Sequence, residues 1–339
     1  MGEISFENLS FKQKKDFVEV ILYKMFSFLV PNSELSSLGD YSVRPNSLVF
    51  SNECEKKLML LLAKHIKNLK NKVTGNATTY IHSASGIPLM GNISFGIVDR
   101  GSSLLEIKPI TSCNLNCIYC SLSEGMASKW HDFVVEVEYL IEEIEKVVEF
   151  KGIEDQEIHI GCQGEPLFYS ELVKLVAGVS KIKNVSVISM DTNAVMLTIE
   201  KAKELFNVGM NRFNISLNGT TQEMVDKMSG AKYPLKHVLR LCEYIVKLGA
   251  ELVIAPVWVP GVNDNEIPEL IKLGKKLGAK MGIQNYLEYK HGKKPAKQAT
   301  WDEFYAKLKV LEEKFKVKLK LFPEDFNIRP APKIKKPFV

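Results

Sequence analysis

From residue 104 onward, short apolar runs alternate with amphipathic stretches, and this rhythm constrains the fold more than any other feature of the chain. Residues 104–110 read as a strand, and residues 136–150 as a helix with apolar side chains at helical spacing. The pairing recurs at 157–160 and 170–182, at 185–190 and 199–206, and at 212–217 and 234–248. It closes with 251–258 and 266–277, then 280–287 and 300–315. Six strand–helix units in series predict an α/β fold with a parallel sheet and right-handed helical crossovers. Such a sheet either curls into a partial (βα)6 barrel or lies open and doubly wound. The partial barrel is the expectation taken here. In both arrangements the reactive groups gather on loops at the strand C-termini.

Residues 1–100 read as an N-terminal extension, 101–290 as the core and 291–339 as a short basic C-terminal extension. Within the first, stretches 11–30 and 54–72 read as helices, and 91–98 as a strand set among turn residues. The apolar run 17–30 is interrupted by Glu19 and Lys24 and is too short to span a bilayer. It is expected to be an amphipathic helix, with Ser10 and Gln13 as a capping box. No membrane span is expected. After the last helix, residues 317–322 suggest an extra strand, and a Pro/Lys-rich tail suggests a linker.

The net charge is +5, but residues 290–339 alone carry 14 Lys or Arg against 6 Asp or Glu. A basic stretch of this kind meets phosphate, as in RNA or a phosphorylated metabolite, or is simply a solvated face. Lys, Glu and Ile are abundant and Gln is scarce, which points to a thermophile. Of six cysteines, three crowd into residues 113–120 while Cys54, Cys162 and Cys242 are scattered. A disulfide framework does not look like this, so a reducing, cytoplasmic location is expected.

The crowded cysteines, Cys113, Cys117 and Cys120, have the spacing C-x3-C-x2-C directly after the first core strand. Thiolates are preferred ligands of iron–sulfur clusters, which usually take four. Three in one loop would leave one iron open, and an open metal position is a reaction site. Three other readings stand beside this one. A zinc site would need a fourth ligand, and the nearest His is His131. Cys117 and Cys120 alone could form a redox dithiol. A plain electron-transfer cluster would need Cys162 as its fourth ligand.

These residues resemble the radical S-adenosylmethionine (SAM) superfamily over roughly residues 104–290. Cys113, Cys117 and Cys120, with aromatic Tyr119 before the last cysteine, are similar to that family's cluster motif. The resemblance implies a [4Fe–4S] cluster whose open iron chelates SAM. One electron then cleaves the S–C5′ bond, and a 5′-deoxyadenosyl radical abstracts hydrogen from a substrate. It implies that Tyr119 packs on the adenine. Gln163-Gly164-Glu165-Pro166 is similar to the family's Gly-Gly-Glu-Pro, which receives the SAM ammonium; here Gln163 replaces a glycine. Gly164 is expected to allow close backbone approach, and Glu165 to accept charge-assisted hydrogen bonds. Thr192-Asn193-Ala194 is similar to a Thr-Asn-Gly motif and nominates Thr192 and Asn193 for substrate contact. Ser216 and Asn218 match polar positions that hold the SAM ribose and carboxylate, and Gln284 falls where adenine is cradled. The turn 260–264 reads as structural, with Asp264 as cap of the following helix. Cys162, beside the Gln-Gly-Glu-Pro loop, is the one scattered cysteine with a redox reading.

The layout is also similar to an archaeal-type family of iron–sulfur oxidoreductases whose members often carry a C-terminal RNA-binding barrel. An external one-electron donor of ferredoxin or flavodoxin type is therefore expected. Three functions remain in view: a radical SAM enzyme acting on RNA, one acting on a small metabolite or lipid, and a non-catalytic electron-transfer module.

Overall fold

The computed structural model of the chain describes residues 2–122, 129–161 and 163–331. The N-terminal extension contains strands β1 (Gly2–Ser5), β2 (Leu9–Gln13), β3 (Phe17–Leu22) and β4 (Phe26–Pro31), then helix α1 (Asn32–Ser36). Strands β5 (Tyr41–Val43) and β6 (Ser47–Phe50), helix α2 (Glu55–Ile66) and strand β7 (Lys70–Asn71) complete it. They form two antiparallel sheets, in the orders β1-β6-β5 and β2-β3-β4-β7.

The helix expected over 11–30 is therefore a pair of antiparallel strands. Buried and less buried residues alternate along β3 and β4, the period of a half-buried strand. The reversal runs through Tyr23 and Lys24, at φ 53° and 60°. Neither is a usual left-handed residue, so the turn carries no sequence signal. Ser10 and Gln13 lie in β2 and cap nothing; Gln13 Nε2 instead donates to Asn32 Oδ1 at 3.1 Å.

Strands β8 (Thr78–Ile81), β9 (Gly96–Asp99), β10 (Leu104–Lys108) and β11 (Asp132–Val135) come next along the chain. Helix α3 (Val137–Lys151), β12 (Gln156–Ile160), α4 (Leu172–Val179), β13 (Val185–Thr192), α5 (Ile199–Asn207) and β14 (Arg212–Ile215) follow. Next come α6 (Gln222–Ser229), α7 (Leu235–Lys247), β15 (Glu251–Ile254), β16 (Val257–Trp258), α8 (Glu266–Leu277), β17 (Lys280–Met281), β18 (Gln284–Asn285) and α9 (Trp301–Phe315).

Strands β10, β12, β13, β14, β15 and β17 are parallel and adjacent in chain order, with β9 antiparallel on the β10 edge. Sequential order has no reversal point, so the sheet curls as a partial barrel. The expected strands 251–258 and 280–287 are each interrupted, after Ile254 and after Met281, and resume as the parallel pair β16–β18. Helices pack outside through one apolar stripe. In α3 this is Val137, Leu140, Ile144 and Val148, all fully buried. Each such side chain contributes about 1.5–3 kcal/mol by leaving water.

The strand expected at 317–322 does not form. The backbone N–H groups of Leu319 and Lys320 donate to Glu312 Oε1 at 2.7 and 2.9 Å, and no neighbouring strand takes them. The chain then turns through a 3-10 helix at Pro323–Phe326 and returns beneath β10, where Ser103 N donates to Arg329 O at 2.7 Å. The end of the basic tail, residues 332–339, lies outside the described residues. Asp264 is not the cap of α8, whose N-cap is Asn265. Its carboxylate accepts instead from Trp258 Nε1 and Gly261 N. Among the described residues no helix is long and apolar enough to cross a membrane.

Candidate functional site

The C-terminal end of β10 runs into the cysteine loop, which neighbouring segments hold from several sides. Asn71 of β7, 1% exposed, donates through Nδ2 to Ser112 Oγ at 2.9 Å and to Asp132 Oδ2 at 2.8 Å. Glu165 N donates to Ser112 O at 2.9 Å. Asn116 N and Ile118 N donate to Ser229 O and Met228 O, each at 3.0 Å. Lys293 reaches back from beyond β18, its Nζ donating to Asn116 O at 2.7 Å and its N–H to Cys120 O at 3.0 Å.

Two glycines make these contacts sterically feasible. A Cβ on Gly164 would stand 2.0 Å from Ser112 O and 2.3 Å from Thr111 O. A Cβ on Gly230, at φ +62°, would stand 2.2 Å from Asn116 O. The close backbone approach expected of Gly164 is therefore made to the cysteine loop itself.

Cys113, Cys117 and Cys120 are free, partly exposed thiols that line a cavity of about 340 Å³. Burial pushes the Cys113 thiol well up, and the Cys117 thiol up to about 11. A bare thiolate is thus disfavoured there, and a bound cation would have to draw off the proton. Among the described residues, no three His, Cys, Asp or Glu side chains converge on one ion. Three thiols in one loop supply all but one of the four ligands an iron–sulfur cluster usually takes. This donor set fits an iron–sulfur cluster. Cys162 lies outside the described residues, while Cys54 and Cys242 are buried in the core.

The same cavity is lined by Tyr119, Gly164, Glu165, Thr192, Asn193, Ser216 and Gln284. They come from the ends of different strands, as expected for a site at the C-terminal face. Asn218 is not among the lining residues. Its Nδ2 donates to the Tyr119 hydroxyl at 2.8 Å, and its Oδ1 accepts from Val257 N at 2.8 Å. Asn218 thus holds the Tyr119 hydroxyl in place.

Glu165 is 1% exposed. Its Oε1 accepts from Thr192 Oγ1 at 2.6 Å and from Leu167 N at 3.2 Å, and its Oε2 accepts from Asn193 N at 2.8 Å. A carboxylate has about four lone-pair directions, so one on Oε2 remains open. Burial pushes the carboxyl up to about 7 against the pull of these donors. Thr192 and Asn193, nominated for substrate contact, thus hold Glu165. Asn193 Nδ2 also donates to Asn114 Oδ1 in the cysteine loop, at 2.8 Å. Ala194, where the resembled motif has glycine, sits at φ 60°, a conformation glycine adopts without strain.

Sequence reasoning missed Asn71, Gly230, Lys293 and Asp191. None belongs to a local motif; each acquires its place from sheet register or a long-range contact. Asp191 lines the cysteine cavity and also a second one of about 520 Å³ on the inner face of the sheet. There its Oδ2 lies 3.2 Å from His159 Nε2. Burial disfavours the imidazolium, but the neighbouring Asp191 charge outweighs it and holds His159 above its ordinary value.

Comparison with known proteins bears on this arrangement. Residues 107–274 match the radical SAM superfamily. The uncharacterized protein MJ0103 of Methanocaldococcus jannaschii is 35% identical over 299 residues, covering 80% of this chain and 69% of that protein. A GTP 3′,8-cyclase of Clostridium botulinum (strain Hall) is 31% identical over 178 residues, which cover 52% of this chain and 54% of the cyclase. Streptococcus suis SuiB, in a crystal structure bound to the precursor peptide SuiA, is similar with a TM-score of 0.51 at 16% identity. That likeness covers 93% of this chain and 69% of SuiB, and it speaks for the fold alone.

Proposed function

Since the chain belongs to the radical SAM superfamily, we propose that Cys113, Cys117 and Cys120 each bind one iron of its [4Fe–4S] cluster. The adjoining cavity then holds SAM. Together the cluster and SAM supply one-electron cleavage of the S–C5′ bond, and so a 5′-deoxyadenosyl radical that takes hydrogen from a substrate. The observation that carries the assignment is the shared cavity, in which the three thiols meet Glu165, Ser216 and Gln284.

This chain's residues have distinct tasks in that reading. The open lone pair of Glu165 Oε2 accepts from the SAM ammonium, while Thr192 and Asn193 keep the carboxylate oriented. Tyr119, braced by Asn218, presents its ring to the adenine. Ser216 and Gln284 offer hydrogen bonds to the ribose and base. Lys293 and Asn71 brace the cysteine loop that carries the three ligands.

Radical SAM enzymes need an electron donor, and a small ferredoxin- or flavodoxin-type protein suits a cluster near the surface. For the substrate, a small molecule is favoured over RNA, because a second cavity adjoins the first. The RNA reading rests on the basic C-terminal residues. Several of these are already engaged, as Lys294 is with Glu288 and Lys318 with Asp325.

The test is anaerobic reconstitution of the full chain with iron and sulfide, followed by dithionite and SAM. Release of 5′-deoxyadenosine, with a SAM-dependent change in the cluster's EPR signal, is expected. A well-loaded cluster that neither senses nor cleaves SAM, or a purified protein carrying zinc, would overturn the assignment.

A further inference from the structure

Apart from Gln284, the residues lining the second cavity have no task in the SAM binding proposed above. The cavity measures about 520 Å³, a size suited to small organic ligands, and it shares Asp191, Gln284, Asn285 and Leu287 with the cysteine cavity. Its floor is the inner face of the barrel. His159, Asp191 and Asn214 come from β12, β13 and β14, with Asp191 directly opposite Asn214 in register. Its outer wall is α9 and the segment that follows it.

The acceptor that this floor opens to the cavity is the Asp191 carboxylate. Asn214 Nδ2 donates to Asp191 Oδ1 at 2.8 Å. Only the amide nitrogen can donate, so Asn214 Oδ1 must face away, and it is buried without a partner. Asn285, 6% exposed, repeats the pattern: Nδ2 donates to Ala299 O at 2.9 Å, and Oδ1 is buried without a partner. The Asp191 carboxylate is 44% exposed and keeps lone pairs open toward the cavity.

Asp191 is also held firmly. Ser189 Oγ donates to Glu157 Oε1 at 2.6 Å, so the His159 Nδ1, 2.7 Å from Ser189 Oγ, must be the donor of that contact. His159 is thereby fixed in plane and faces Asp191 with its other nitrogen. Across the cavity stand Trp301, Phe304 and Tyr305. Trp301 stacks on Tyr305 at 5.6 Å and is itself 49% exposed, so it offers aromatic surface to a flat ring.

We infer that this cavity binds the substrate, and that the substrate is a small, flat nitrogen heterocycle presenting an N–H donor to Asp191 and a ring face to Trp301. The inference rests on the proposed function, because only SAM in the neighbouring cavity gives the bound ring a reactive partner. The same chemistry could be offered by a free base or by a base within an RNA strand. The wall formed by α9 favours the free compound.

The test uses the cluster-loaded full chain under anaerobic conditions, with SAM present. The probe is 2-aminopurine, a fluorescent heterocycle with amino and ring N–H donors, quenched by stacking on aromatic rings. Saturable quenching is expected. Asp191→Asn, which removes the negative charge and replaces one carboxylate oxygen with a donor, should weaken it about tenfold or more. Trp301→Ala, at an exposed position, should lose most of the quenching and guards against a folding defect in the first variant. Benzoate, which offers acceptors only, should not compete. The inference is overturned if wild-type protein binds SAM but not the probe, or if both variants quench as the wild type does. It is also overturned if only an oligoribonucleotide carrying the base is bound. Failure to bind SAM at all is a separate outcome; it removes the proposed function and this inference with it.

Discussion

Replacing Glu165 with Gln tests the ammonium assignment at one atom. In the wild type, three donors already occupy the carboxylate: Thr192 Oγ1, Leu167 N and Asn193 N. A glutamine amide fits best with its NH2 toward Thr192, which gives up the longest of the three contacts, from Leu167 N at 3.2 Å. That hydroxyl oxygen already accepts from Ala194 N at 2.9 Å and can accept once more. The remaining carbonyl then still faces Asn193 N and the open direction. The ammonium would keep a neutral acceptor and lose a charged one. Hydrogen bonds to charged groups contribute about 1.5–3 kcal/mol and neutral ones about 0.5–1.5. The difference, about 1–2 kcal/mol, is about a 5- to 30-fold weaker affinity for SAM.

A pH arm sharpens the same test. Burial pushes the Glu165 carboxyl up to about 7 in the free protein. A cationic ligand binds the ionised form, so affinity is full above that value and falls as pH drops through it. Wild-type affinity should therefore decline below neutrality, by up to about tenfold per pH unit, while Glu165→Gln stays flat. Equilibrium dialysis of SAM against cluster-loaded protein, with iron content measured in each sample, reads both effects. Equal SAM affinity in the two proteins, with no pH dependence in the wild type between about pH 8 and about pH 6, would refute the reasoning.

Cys117→Ala should abolish the cluster's visible absorbance and SAM cleavage together, since one iron loses its only protein ligand; loss of cleavage with a full cluster would contradict this. Gly164→Ala brings a methyl within 2.3 Å of two carbonyl oxygens of the cysteine loop. Less than half the wild-type iron after reconstitution is expected by iron and sulfide analysis, and normal loading would show that the loop can yield. Asn71→Ala strips the buried Asp132 carboxylate of a hydrogen bond at 2.8 Å. A stability loss of about 1.5–3 kcal/mol, read from denaturant unfolding, and faster iron loss to a chelator are expected; unchanged values would show that the N-terminal sheet does not brace the loop.

The barrel was legible because its outer helices are amphipathic and its strands are short and apolar, so two periods alternate in the sequence. The cysteines and the Gln-Gly-Glu-Pro loop were legible because they are contiguous. Residues 11–30 were not, because Tyr23 and Lys24 make a reversal that neither residue type announces. Residues 317–322 alternate lysine with apolar residues as an edge strand would. Their backbone donors are nevertheless taken by one side chain of α9, Glu312. A period of two describes which way side chains point and leaves open whether a partner strand is present.

The same distinction separates the two halves of the site. Tyr119, Glu165 and Asn193 announce themselves by motif, but the structure divides labour among them in a way no motif states. Asn218, Thr192 and the Asn193 backbone spend their hydrogen bonds on Tyr119 and Glu165. Residues that read as ligand contacts thus hold other contacts in place. The opposite holds for Asp191, Asn214 and His159, which look like ordinary strand residues. Parallel register sets Asp191 against Asn214 and His159 against Ser189, and so assembles a polar floor from three strands. Unsatisfied acceptors on such a floor oppose folding. Register, as much as residue type, therefore decides which polar groups meet on the inner face of the barrel.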